Sequence, residues 1–170
     1  MNNKFLAASA LVGALLGATP ALAADTQAMT SEALILKPLI LTKLSDLSFG
    51  SIIRSGAGDL VTINADTGAR TSPSAILVGS DPGYRARFAS AGLDSAAVFL
   101  VLSPTADLVN GAGNRLTVTN LRLDQNNFPL RFLSPTSQVF FVGIGGQVFV
   151  RADQEDGTYT GTFTLTAYYF

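Results

Sequence analysis

The sequence predicts an all-β protein, and three observations carry that reading. From Leu34 onward no ten-residue window shows the i, i+3, i+4 apolar spacing of an amphipathic helix. In its place come runs of five to thirteen residues rich in Val, Ile, Leu, Phe and Thr. Between the runs, at intervals of 8 to 20 residues, stand clusters of Gly, Asn, Asp and Pro, the residues that tight reversals require. Short strands punctuated in this way indicate a sandwich or a barrel.

Taken in order, Met1–Lys4 forms a short positive region and Phe5–Ala18 an unbroken apolar stretch. Pro20 and the small-x-small site Ala21-Leu22-Ala23 follow. This is the pattern of an export signal over residues 1–23, with cleavage before Ala24. The apolar stretch is several residues short of the ~20 that a spanning helix needs, so no stable membrane anchor is expected. Removing 23 of 170 residues leaves 147, about one domain. Residues 24–36 read as an extension and 37–170 as the domain itself.

The expected strands are Leu34–Leu41, Leu60–Asn64, Ala75–Gly79, Tyr84–Phe88, Ala96–Leu102, Leu116–Leu123, Gln138–Val142, Gln147–Arg151 and Thr158–Phe170. Turns are expected at Ser55–Gly58, Asp81–Gly83, Asn110–Asn114, Gly143–Gly146 and Asp153–Gly157. Tyr84, Ala86 and Phe88 alternate with Arg85 and Arg87, which predicts one core face and one wet face. The apolar phase shifts between Val118 and Leu121, and a β-bulge near Asn120 accommodates that shift. Ala96–Leu102 and Gln138–Val142 are apolar on both faces, so they should be central, or have an outer face covered by another chain. Pro38 and Pro129 lack an amide donor and belong at sheet edges or kinks.

Composition narrows function. The chain has no His, Cys or Trp, which excludes Ser-His-Asp and Cys-His catalysis, disulfides and the usual His/Cys zinc sites. No cofactor, metal site or enzymatic activity is expected. With 11 basic and 12 acidic residues and no basic cluster, a nucleic-acid partner is not expected either. Asp153, Glu155 and Asp156 gather oxygen ligands, but their spacing is not that of a calcium loop, and a solvated hairpin turn explains them. The glycines of Gly143–Gly146 have no following helix or Lys, so a hairpin turn is preferred to a phosphate nest.

The last run carries the most information. One face reads Tyr159, Gly161, Phe163, Leu165, Ala167, Tyr169, and the other is a row of Thr at 158, 160, 162, 164 and 166. A strand over all 13 residues would span about 44 Å, far longer than the usual five or six residues. Tyr169 is penultimate and Gly157 is fourteenth from the end. This resembles the terminal motif of chaperone-usher pilins. Outer-membrane β-barrels also end in an alternating strand closed by Phe. A barrel, however, should show aromatic girdles and repeated strands of about 9 to 11 residues.

Pro38-Leu39-Ile40-Leu41-Thr42-Lys43-Leu44-Ser45-Asp46-Leu47-Ser48-Phe49-Gly50, then Gly58 to Ile63, and the closing Gly157-Thr158-Tyr159-Thr160-Gly161-Thr162-Phe163 resemble a bacterial domain-of-unknown-function family. That family is in turn similar to the spore-coat-U-like subunits of archaic chaperone-usher pili, which share a Leu-x-Phe-Gly element and usually carry cysteines. The resemblance implies an immunoglobulin-like antiparallel β-sandwich completed by a donated strand. It also implies a structural subunit exported through the periplasm to the cell surface, whose partners are a periplasmic chaperone, an outer-membrane usher and head-to-tail copies of itself. Gly157, Tyr159, Gly161, Phe163, Leu165, Ala167 and Tyr169 would form the interaction strand. In residues 24–36 the phase Met29, Ser31, Ala33, Ile35 is free of charge and is the candidate donor face, although Leu34 and Leu36 make the other phase equally apolar at its end. The alternative is a self-contained secreted or surface sandwich that binds a partner without polymerising, with its first strand closing its own sheet.

Overall fold

The computed structural model describes residues 30–170. The expected signal segment and Met29 lie outside the described residues. The sandwich belongs to the unit Ile35–Phe170. Its strands are Ile40–Ser45 (β1), Ile52–Ile53 (β2), Asp59–Ile63 (β3), Arg70–Thr71 (β4), Ile76–Leu77 (β5), Ala86–Ala91 (β6), Ala97–Leu102 (β7), Ala106–Val109 (β8), Arg115–Leu123 (β9), Leu130–Phe132 (β10), Val139–Val150 (β11) and Leu165–Tyr169 (β12). The fold is all-β and every strand pairing is antiparallel.

The larger sheet is organised around β11. One edge of this 12-residue strand meets β6 over Val139–Ile144 and then β3 over Gly146–Val150, while the other edge meets β9. β1 pairs outside β6, β4 outside β3, and β8 outside β9. The smaller sheet runs β10-β7-β12, and β2 and β5 form a separate pair. Val98, Leu100, Val118, Val142, Ile144 and Leu133 fill the main core. A second cluster gathers Val61, Val148 and Val150 with Phe49, Ile52 and Leu77 packed on it. Each such fully buried aliphatic side chain contributes about 1.5–3 kcal/mol before entropy.

Several sequence expectations hold in detail. β9 carries its bulge where the apolar phase shifts: Gly145 faces Arg122 and Gln147 faces Thr119, with Asn120 at a φ of 48°. Pro38 and Pro129 stand just before β1 and β10, both strands at the end of a sheet. β7 and β11 are central, but the outer faces of both remain open, with Phe99, Val101 and Phe141 exposed.

Others are corrected. Gly143–Gly146 is not a turn but the buried middle of β11. The glycines are there because the chain leaving β3 crosses the strand: a Cβ on Gly145 would collide with the Ile63 carbonyl and the Ala65 amide, and one on Gly143 with the Ala65 carbonyl. The expected 13-residue terminal strand is regular only over the five residues of β12. Thr160 makes a lone bridge to Val109, and the lead-in from Thr158 to Thr164 is otherwise unladdered. The expected strand Leu34–Leu41 begins only at Ile40. Tyr84 is exposed, because it lies in a bridge to Ser48 before β6 begins, and Arg85 is tied to the carbonyls of Ala65 and Asp66.

Candidate functional site

A groove of about 600 Å3 lies alongside the lead-in to β12. Its floor is the inward face of three strands: Leu108 of β8, Leu116 and Val118 of β9, and Val148 and Val150 of β11. One wall is the segment Leu47–Ile52, which follows β1; the other is Gln154–Gly161 with Phe163. Strand alternation explains the floor. Val148 and Val150 point inward, and Phe149 between them points out and is exposed.

Gly157, Tyr159, Gly161 and Phe163 all line this groove, so the first half of the sequence-derived motif comes together there. Gly157 takes a φ of 142°, a torsion that favours glycine, as the chain turns into the wall. The Tyr159 hydroxyl donates to the Glu155 carbonyl at 2.7 Å and accepts from Gln154 Nε2 at 2.7 Å. Gln154 is itself buried, and its amide also donates to the Arg115 carbonyl, so its side-chain nitrogen on this wall is satisfied.

Leu165, Ala167 and Tyr169 continue the same face along β12. With Phe163 they pack on the main core, but each is only half-buried. Leu39, Leu47 and Phe49, on the chain flanking β1, are likewise half-buried against that core. The Tyr169 hydroxyl ties the two sides at one end, donating to the Lys37 carbonyl at 2.9 Å and accepting from the Leu93 amide at 2.7 Å. Among the described residues β12 pairs with β7 alone, and its second edge has no strand partner there. Of the candidate donor residues, Ser31, Ala33 and Ile35 are exposed and carry no strand pairing.

The groove floor was not marked by sequence reasoning. β8 is too short to show a period, and Val148 and Val150 were assigned to a hairpin arm and not to a continuous central strand. On the facing wall, Leu47 and Phe49 had a signal in the Leu-x-Phe-Gly element.

Beside the floor, on the same face of the sheet, Asp59 stands opposite Val150 in the ladder. Its carboxylate, 6% exposed, accepts from the Ser72 and Ser74 hydroxyls and from the Ser74, Ala75 and Leu60 amides. The Ser72 hydroxyl, followed by those amides, outweighs the opposing effect of burial and holds this carboxyl well below the usual carboxylate range. The acidic turn is solvated, with Asp153 pairing with Arg151 at 3.1 Å and Asp156 3.5 Å from Arg54, but it is not the expected hairpin, because β11 and β12, which it connects, lie in different sheets. Among the described residues no group of three or more His, Cys, Asp or Glu could hold a metal ion. What the site offers chemically is apolar surface leading to a backbone edge that is unpaired among the described residues.

Comparison with known proteins places the chain in one family. Residues 39–169 match the family described as domain of unknown function (DUF4402), and the chain belongs to it. No curated protein matches, and no solved structure matches.

Proposed function

We propose that this protein, a DUF4402 member, is the structural subunit of a surface fibre assembled by donor-strand complementation. The observation that supports the reading is the conjunction along the terminal run: an apolar groove floor beside its lead-in, an alternating face from Tyr159 to Tyr169 that is half-buried except at Gly161, and a β12 edge without a strand partner among the described residues. An unpaired edge is a template for strand addition, in which backbone hydrogen bonds complete the ladder and alternate side chains fill the gap beneath. The exposed segment ending at Ile35 has the charge-free alternation to act as that strand in a neighbouring copy. The apolar residues of that phase, Met29, Ala33 and Ile35, add burial, about 1.5–3 kcal/mol for each of the two larger side chains before ordering costs, to the backbone ladder, which makes such a link long-lived. The contact is heterologous, so it propagates a fibre and does not close a dimer. In this reading an export signal takes the chain to the periplasm, a chaperone and an usher handle it in transit, and the fibre stands on the cell surface.

The test is expression of the full chain with its signal in cells carrying a matching chaperone and usher. Surface material is compared unboiled and boiled by denaturing electrophoresis, alongside negative-stain microscopy. The expected result is a ladder that collapses on boiling, thin fibres, and loss of both when residues 24–36 are deleted. A single monomer band without fibres overturns the fibre reading and leaves the self-contained binding module.

A further inference from the structure

A second site lies on the outer face of the larger sheet, where β11 exchanges β6 for β3. A cavity of about 200 Å3 opens there, where polar side chains, among them Asn120, Arg122, Asn126, Asn127 and Gln147, share the lining with Ile63, Leu123 and the backbone of Gly145 and Gly146. Gln147 shows which face this is, since it alternates with the fully buried Val148. The groove lies on the inward side of the same strands, so the two sites are separate.

The backbone around this cavity is held in uncommon conformations. Six described non-glycine residues have positive φ, and four of them belong to this corner: Asn120 at the bulge, then Gln125, Asn126 and Asn127 in one left-handed turn over Asp124–Asn127. Left-handed torsions cost of order 1 kcal/mol each and persist where the surroundings impose them. The surroundings here are specific. Asp66 Oδ1 accepts from the Gln125 amide at 2.6 Å, and Asn127 Oδ1 accepts from the Leu123 amide at 2.9 Å.

Behind the turn, Arg131, 4% exposed, donates to Asp124 Oδ1 at 2.7 Å, while Asp124 Oδ2 accepts from the Gly143 amide at 2.8 Å. A buried ion pair is a costly way to shape the connection from β9 to β10, strands of two different sheets. It fixes this turn on β11 and holds its asparagines in place beside the cavity.

The donor set identifies the ligand class. Carboxamides both donate and accept, which suits hydroxyl groups that do the same. Arg122 and Asp66 set opposite charges around the cavity, which favours neither an anion nor a cation. The cavity is smaller than the roughly 300–1,000 Å3 of sites for drug-sized ligands, and its size suits a single ring. We infer that this corner is a binding site for one neutral, polyhydroxylated ring, a terminal monosaccharide unit of a glycan. Because the turn is already set, little ordering cost falls on binding. The inference does not depend on whether the chain forms fibres.

Saturation-transfer difference NMR tests it on the full chain in whatever assembly state it is isolated, because the signal is read on the small molecule. The probes are the methyl glycosides of glucose, galactose, mannose and N-acetylglucosamine. The expected result is saturable transfer to the ring protons of at least one of them. Asn120→Gly and Asn126→Gly remove a carboxamide yet keep the left-handed torsion, and each should weaken that binding by about tenfold. Circular dichroism should show both variants folded as the parent. No saturable transfer from any of the four glycosides overturns the inference, and so does transfer that the two variants leave unchanged.

Discussion

β11 and β12 present the same kind of inward face and end in different states. Along β11, Val142, Ile144 and Val148 alternate inward and are at most 1% exposed. Along the terminal run, Phe163, Leu165, Ala167 and Tyr169 also point to the core, and each is only half-buried. The difference lies in the edges: among the described residues β11 has neighbours on both sides, and β12 has β7 alone. Alternation decides which way a side chain points, but depth of burial depends on whether a further strand covers the flank. The incomplete flank is where the proposed function acts.

Substitutions that act on this contrast should rank in a clear order. The largest effect is expected for Gly145→Ala, which drives a methyl group into the backbone of Ile63 and Ala65 in the closed half. A loss of about 4 kcal/mol or outright failure to fold should appear in urea unfolding. Ile144→Ala, at a position of 0% exposure, should cost about 2–5 kcal/mol by the same measurement.

Next comes Asp59, whose effect depends on pH. Its folded-state value is depressed below the unfolded value of about 3.9, so its contribution is complete above that pH and is lost as pH falls through the lower, folded value. The parent's urea midpoint should therefore fall on acidification below about pH 4, and Asp59→Asn should lower the midpoint at neutral pH and flatten that fall.

On the open flank, Phe163→Ala should cost only about 1–2 kcal/mol in the lone chain, since the residue is half-buried. Adding a synthetic peptide of residues 24–36 should raise the parent's melting temperature and widen the gap to the variant. A peptide that leaves both unchanged would show that the flank accepts no such strand. Least of all, Lys43→Ala should change stability by under about 0.5 kcal/mol, because the Lys43–Asp46 pair, 2.7 Å apart, is largely solvated.

Much of this was legible in the chain itself. The bulge at Asn120 follows from the shift between Val118 and Leu121, because a strand can keep both pairs inward only by adding a residue. The inward phase from Tyr159 to Tyr169 was readable for the same reason. The long β11 was not: four residues with three glycines have the composition of a turn, and their real cause, a close crossing by Ile63–Ala65, is made by residues some 80 positions earlier. The polar corner was equally hidden. Asn64, Asn120, Asn126 and Gln147 are scattered along the sequence and meet only when β3, β9 and β11 pair.

The sequence alone determined what is local: the all-β class from apolar period and turn residues, the edge positions of Pro38 and Pro129, and the direction of the terminal face. The tertiary structure alone decided which flank stays uncovered, where the groove has its floor, and which side chains share the outer cavity. Those properties depend on pairings between distant strands, and no local pattern encodes which edge of a strand will find a partner.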